Sequence, residues 1–294
     1  MNTDTALDIS FSGYTHKRFP RYGVIGIATI LVAEVLLFLS ITPIGMYFTP
    51  IVWTGYIIFV DALIFYKYGG SLIMSRRKEF LAMLPWSILC WLIFEAYNLY
   101  LKNWTYVGLP DNVILRSMGY AWSFATIFPA ILETGELVKL YLPTNKSSDR
   151  EVSNVTLIAF IIIGIVCLVA PLVVSHGRAT QMFGLVWIGF YFLIDPINHI
   201  LRGKSILQEV VQNNYSTLIS LICSGIICGL LWEFWNYWAI AKWRYNVPIS
   251  IVGPKLFEMP LLGYLGFIPF AFECYVLQQL LVGIFPSLSK PQRG

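Results

Sequence analysis

Eight apolar stretches, each about 18 to 25 residues long, leave this chain few ways to fold, because that is the length that crosses a bilayer as a helix. They lie near 22–46, 51–67, 81–101, 118–141, 154–175, 183–201, 216–240 and 257–285. Hydrocarbon offers no water to backbone amides and carbonyls, so each stretch must satisfy them internally, as a helix does. Charged residues make up 12% of the 294, and the mean hydropathy is +0.68. Soluble domains carry about twice that share of charge. The expected fold class is therefore all-α, a polytopic membrane helical bundle of about eight transmembrane helices. Its expected partners are the lipid bilayer and a hydrophobic small molecule.

Basic residues orient the spans. With the N-terminus inside, most of them fall on inner segments, among them Lys17, Arg18, Arg21, Arg76, Arg77, Lys78, Lys139, Arg202 and Lys204. The positive-inside rule then places both termini in the cytoplasm. This bias accounts for the net charge of +4 without a nucleic-acid partner. The first apolar run is too long for a signal h-region and is read as a retained helix.

The sequence also repeats itself. Trp53, Gly55, Asp61, Gly69 and Ser71 return as Trp187, Gly189, Asp195, Gly203 and Ser205. Further on, Cys90, Glu95-x-x-Asn98, Trp104-x-Tyr106 and Pro129-x-x-x-Glu133 return as Cys228, Glu233-x-x-Asn236, Trp243-x-Tyr245 and Pro269-x-x-x-Glu273. The distance between matching residues widens along the chain, as small loop insertions would make it. The expectation is two parallel four-helix repeats, 1–152 with an N-terminal tail and 153–294, joined by the polar stretch from Pro143 to Glu151. Lys102–Pro110 and Lys242–Pro248 are aromatic connections, suited either to the headgroup layer or to covering a pocket. Gly225-x-x-x-Gly229 suits close helix packing.

Each copy keeps three carboxylates inside apolar runs, and an ionisable residue there is by default a candidate for function. Glu95 and Asn98 share a helical face, as do Glu233 and Asn236, so each Asn is expected to hydrogen-bond and orient its acid. A glutamate among aromatic rings is suited to carry a proton and act as a general acid. Aromatic faces attract a developing cation. The candidate catalytic residues are Glu95, Glu233, Asn98, Asn236, Glu273 and Asp195. The candidate substrate-binding residues are Trp104, Tyr106, Trp235, Trp238, Trp243, Tyr245 and Glu258. Glu133 and Glu273 each follow a proline by four residues, where they could satisfy backbone amides the proline frees.

Other chemistries are poorly served. Three histidines do not make a di-iron cluster, and His199 is expected to stand alone despite following Asp195 by one helical turn. The five cysteines lack metal spacing, and no P-loop, Rossmann glycine pattern or zinc-protease motif occurs. Neither a metal nor an organic cofactor is expected.

The stretch Trp243-Arg-Tyr245 through Phe257-Glu-Met-Pro-Leu261, with its counterpart Trp104-Thr-Tyr106, Pro129 and Glu133, resembles the membrane-embedded carotenoid (lycopene) cyclase domains, helical units used in duplicate. The resemblance covers about a third of the chain, and Leu262 and Gly263 stand where the family's motif has a pair of glutamates. Trp232-Glu233-Phe234 is similar to the Trp-Glu-Phe of small membrane terpene cyclases. Both resemblances imply a proton donor in an aromatic pocket acting on an isoprenoid. Two alternatives remain: a proton- or cation-coupled carrier using Asp61/Asp195 and Glu133/Glu273, and a non-catalytic membrane subunit.

Overall fold

The computed structural model describes residues 18–143, 148–246 and 254–289. The N-terminal tail with His16 and Lys17, the middle of the linker, Pro248 and the last five residues lie outside them. The chain is an all-α membrane bundle. Among the described residues, seven helices are long and apolar enough to cross a membrane.

The first half runs α1 (Arg21–Phe38), short α2 (Thr42–Met46), α3 (Phe48–Tyr68), short α4 (Leu72–Ser75), α5 (Arg77–Leu101), strand β1 (Trp104–Val107), α6 (Val113–Ala125) and α7 (Ile127–Lys139). The second runs α8 (Asn154–Val173), short α9 (His176–Ala179), α10 (Phe183–Ile200), short α11 (Ile206–Val211), α12 (Ser216–Trp238), β2 (Lys242–Tyr245), the small strands β3 (Lys255–Leu256) and β4 (Met259–Pro260), a 3-10 turn (Leu261–Gly266) and α13 (Phe267–Ile284). Up to the strands, each half presents the same order of elements.

The span expected over 118–141 is divided at Thr126 into two helices, whereas that expected over 257–285 is found as one crossing, Leu261–Ile284, in which the 3-10 turn runs on into α13. Pro129 and Pro269 are each the third residue of α7 and α13. First-turn amides have no intrahelical partner in any case, so proline is tolerated there. The break between α6 and α7 is mended by Ser87, whose hydroxyl donates to the Phe124 carbonyl (2.6 Å) and accepts from the Phe128 amide (3.2 Å). Glu133 and Glu273 do not serve this purpose, since neither oxygen of either carboxyl has a hydrogen-bond partner. The two 13-residue helices α6 and α7 share one crossing. Tyr47, at the start of α3, reaches Leu115 near the start of α6, and Lys139 at the end of α7 reaches Thr217 at the start of α12.

Asp61 and Asp195 explain the tight turns after α3 and α10. Each carboxylate is fully buried and faces the first turn of the next short helix. Asp195 accepts from the Ser205 hydroxyl (2.8 Å) and the amides of Ile206 (2.7 Å) and Leu207 (2.9 Å). Asp61 accepts from the Ser71 hydroxyl (2.9 Å), the Ile73 amide (2.7 Å) and the Tyr22 hydroxyl (2.8 Å). Ser71 and Ser205 also cap α4 and α11. Hydrogen bonds to a charged acceptor contribute about 1.5–3 kcal/mol each, so these carboxylates act as staples.

Small residues set the helix spacing. Gly26 and Gly55 bring α1 and α3 into backbone contact; Gly164 does the same for α8 against Leu193 of α10, and Gly189 makes room for the Leu168 and Cys167 side chains. A Cβ at Gly225 would collide with the Phe267 carbonyl of α13, a backbone atom that cannot step aside. Overpacking of this kind costs about 1–3 kcal/mol. Gly225→Leu is therefore expected to lower the thermal midpoint in detergent. Gly177→Leu, which meets open space, should leave it unchanged; equal midpoints would contradict the packing.

Candidate functional site

The aromatic connections that follow α5 and α12 pair with each other. β1 and β2 run antiparallel, with Trp104 opposite Tyr245 and Tyr106 opposite Trp243. Exchanging the halves turns this register into itself. Asn98 and Asn236 make the arrangement possible. The Asn236 side chain accepts from the Trp243 amide and donates to the Trp243 carbonyl, both at 3.0 Å. Asn98 accepts from the amides of Asn103 (2.8 Å) and Trp104 (3.2 Å) and donates to the Trp104 carbonyl (2.9 Å). The asparagines therefore clamp the strands. They do not bond the neighbouring glutamates, because the chain end leaving each helix presents unpaired amides closer at hand.

Beneath the strand pair lies a cavity of about 1100 Å³ of empty space, counting its open mouth. Trp53, Trp91, Trp104, Trp187, Trp232 and Trp243 line it with Tyr106, Tyr120, Tyr245, Phe124, Phe267 and Phe270. The rings support one another: Trp232 lies 5.4 Å from Trp243 and 6.1 Å from both Trp91 and Phe270, centroid to centroid. The strands are thus not an exposed interfacial belt. Trp104 is only 7% exposed.

Glu95 and Glu233 stand behind this wall, outside the cavity lining. Tyr245 donates to Glu233 Oε1 at 2.7 Å and accepts from the Trp243 indole N–H at 2.8 Å. Glu233 is fully buried, and its Oε2 has no hydrogen-bond partner. Glu95 is half-buried, and its Oε1 gathers Tyr106 (2.6 Å), Trp91 (2.9 Å) and Trp104 (3.3 Å). In both halves a tyrosine hydroxyl therefore stands between the acid and the cavity. Burial, and then the adjoining carboxyl, push the Tyr106 and Tyr245 hydroxyls well above the usual tyrosine range.

The remaining expected site residues fall elsewhere. Trp238 is 55% exposed on the outside of α12 and cannot reach a ligand in this cavity. Trp235 packs edge-on against Trp53 at 5.0 Å and donates to Glu34 at 3.2 Å, one layer behind the lining. Glu258 pairs with Lys242 (3.5 Å) and Arg244 (3.9 Å), fastening the segment before β4 to β2. Asp195 is a staple at the opposite end, and its partners do not include His199. Glu273 is buried beside Cys90 and Cys274 and does not line the cavity.

Three donors on lining residues went unassigned in the sequence. Trp53, Trp187 and Thr49 line the cavity, and Trp53 Nε1, Trp187 Nε1 and Thr49 Oγ1 are buried without a hydrogen-bond partner. Trp53 and Trp187 are matching positions in the two halves, and that recurrence was the signal for them.

No family model matches the chain, and neither a curated protein nor a solved structure does.

A tyrosine with a raised ionisation stays neutral at a pH where ordinary tyrosines, near pH 10, lose their proton. Tyr106 and Tyr245 are expected to be absent from the phenolate absorbance that grows up to about pH 11. Tyr106→Phe and Tyr245→Phe should therefore leave its amplitude unchanged. Stability from these groups is complete below about pH 10 and is lost above it, because the unfolded chain then ionises first. A drop of one tyrosine's amplitude in either variant would contradict the burial.

Proposed function

We propose that this integral membrane protein is an enzyme that acts by acid catalysis on a hydrophobic isoprenoid or lipid, in the manner of the carotenoid cyclases its sequence resembles. The observation that carries the reading is the aromatic cavity with a glutamate, standing behind its wall, hydrogen-bonded to a lining tyrosine at each of two matching places. Indole and phenol rings give the cavity affinity for an apolar chain and for positive charge. The two indole N–H groups and the Thr49 hydroxyl, which have no partner in the protein, favour a ligand with an oxygen acceptor over a bare hydrocarbon.

On this reading, Glu233 holds a proton on its carboxyl; when the Tyr245 hydroxyl turns from Glu233 to the ligand's oxygen, an epoxide or carbonyl, Tyr245 gives its proton to that oxygen and takes the one from Glu233. Protonation weakens the C–O bond, and cationic character spreads to carbon between the faces of Trp91, Trp232 and Trp243. Loss of a proton from an adjacent carbon ends the step and returns one proton to the Glu–Tyr pair, so no cofactor is consumed. Glu95 and Tyr106 form the equivalent pair in the first half. The same reading takes 1–152 and 153–294 as two copies of one membrane unit, supported by the matching order of elements and the self-symmetric strand register. It places both termini in the cytoplasm, since Arg76, Arg77, Lys139 and Lys204 cluster away from the strand pair. A carrier using Asp61 and Asp195 as a relay is less well supported, because their oxygens are engaged as staples.

The test is lipid extraction from an isoprenoid-producing host expressing the wild-type chain, Glu233→Gln or Tyr245→Phe. A changed isoprenoid is expected with the wild type. Each variant should form it about 10² to 10⁴ times more slowly, the usual contribution of positioned proton transfer, with unchanged tryptophan fluorescence. Identical lipid profiles with and without the wild-type chain would overturn the proposal.

A further inference from the structure

A second cavity, of about 540 Å³ of empty space, opens at the end of the bundle away from the strand pair. Where the aromatic cavity is apolar, this one is lined by Arg76, Glu79, Glu133, Glu136, Lys139 and Gln278, among others. Most of the charges are matched. Arg76 pairs with Glu136 and, at 3.6 Å, with Glu79, and the Lys139 ammonium donates to Thr217 at 2.8 Å.

Two side chains are left over. Glu133 and Gln278 are each 1% exposed. Neither oxygen of the carboxyl and neither polar atom of the amide has a hydrogen-bond partner. Asp61 and Glu136 repel the Glu133 carboxylate and Arg76 attracts it, while Gln278 lies beside Glu79. A buried carboxylate whose oxygens accept no hydrogen bond costs several kcal/mol, and an unpaired buried amide costs about 1–3 kcal/mol. One ligand meets both needs: a positive charge that accepts oxygen ligands. Its charge is set by the lining, where Glu79, Glu133 and Glu136 face Arg76 and Lys139 and one negative charge is left over. Among the described residues no three His, Cys, Asp or Glu side chains are grouped to hold a metal ion, which disfavours the carboxylate-rich cage that a divalent cation takes.

We propose that this polar cavity binds one monovalent cation, Na⁺ or K⁺, through the Glu133 carboxylate and the Gln278 side-chain carbonyl, with water completing the shell. The site lies at the far end of α7 from the aromatic cavity, which that helix lines only through Ile127. Its occupancy is therefore independent of whether the aromatic cavity is catalytic.

The full-length chain in detergent is titrated with radioactive sodium, and separately with rubidium in place of potassium, with choline chloride holding ionic strength constant. Saturable binding approaching one ion per chain is expected for one of the two. Binding should weaken by about tenfold or more in Glu133→Gln and in Gln278→Leu, the effect of removing a contact to a charged group. Binding should be unchanged in Leu99→Ala on the lipid-facing surface. Elution volume and tryptophan fluorescence report folding, and if Glu133→Gln does not fold, Gln278→Leu decides. Absence of saturable uptake of both ions, or uptake undiminished in the folded variants, would overturn the proposal.

Discussion

Within hydrocarbon a polar group has only the protein to bond with, and the placement of this chain's acids follows from that. Asp61 and Asp195 meet the constraint completely, each oxygen engaged by a serine, a tyrosine or a backbone amide. They convert two helix ends into tight returns and hold α4 and α11 in place. Glu95 and Glu233 meet it in part, through tyrosines that line a cavity. Glu133 and Glu273 do not meet it within the protein. The acids therefore divide into staples, site components and buried groups whose oxygens accept no hydrogen bond.

The same constraint shapes the backbone. The break ahead of Pro129 is served by Ser87, and the change from 3-10 to α-helix ahead of Pro269 leaves that span continuous. Loops that leave α5 and α12 would expose amides near the membrane, and the Asn98 and Asn236 clamps, together with mutual pairing of the strands, occupy them. That pairing draws Trp104, Tyr106, Trp243 and Tyr245 inward and creates the roof of the aromatic cavity. A structural need and a candidate site thus share residues. This is why Asn98→Ala or Asn236→Ala would disturb the cavity without touching a ligand.

Much of this was legible in the sequence, and the gaps have physical causes. Apolar runs reveal spans because length and hydropathy suffice, so seven of the helices stood out. The break ahead of Pro129 did not, since a proline opening a helix and one kinking it look alike in a string of apolar residues. Recurrence pointed to Asp61/Asp195, Glu95/Glu233 and the Trp-x-Tyr pairs. It could not separate staple from site, because duplication preserves both. Ser71 and Ser205 recur beside the aspartates, and that spacing is the signature of the staple. Asn three residues after Glu suggested a bonded pair, but the nearby strand amides compete more effectively. Trp238 shares its helix with Glu233 and faces lipid, which the even hydrophobicity of α12 conceals. Gln278 is uncharged and came forward only through its burial.

As proposed, the aromatic cavity holds an oxygen-bearing hydrophobic molecule among Trp53, Trp187, Tyr106 and Tyr245. Native mass spectrometry of the chain released from its own membranes tests this most directly. A stoichiometric adduct with the mass of an oxygenated isoprenoid or lipid is expected, retained through detergent exchange and lost when Trp53 and Trp187 are both replaced by phenylalanine. A wild-type chain that carries only exchangeable phospholipid, to the same extent as that double variant, would contradict it.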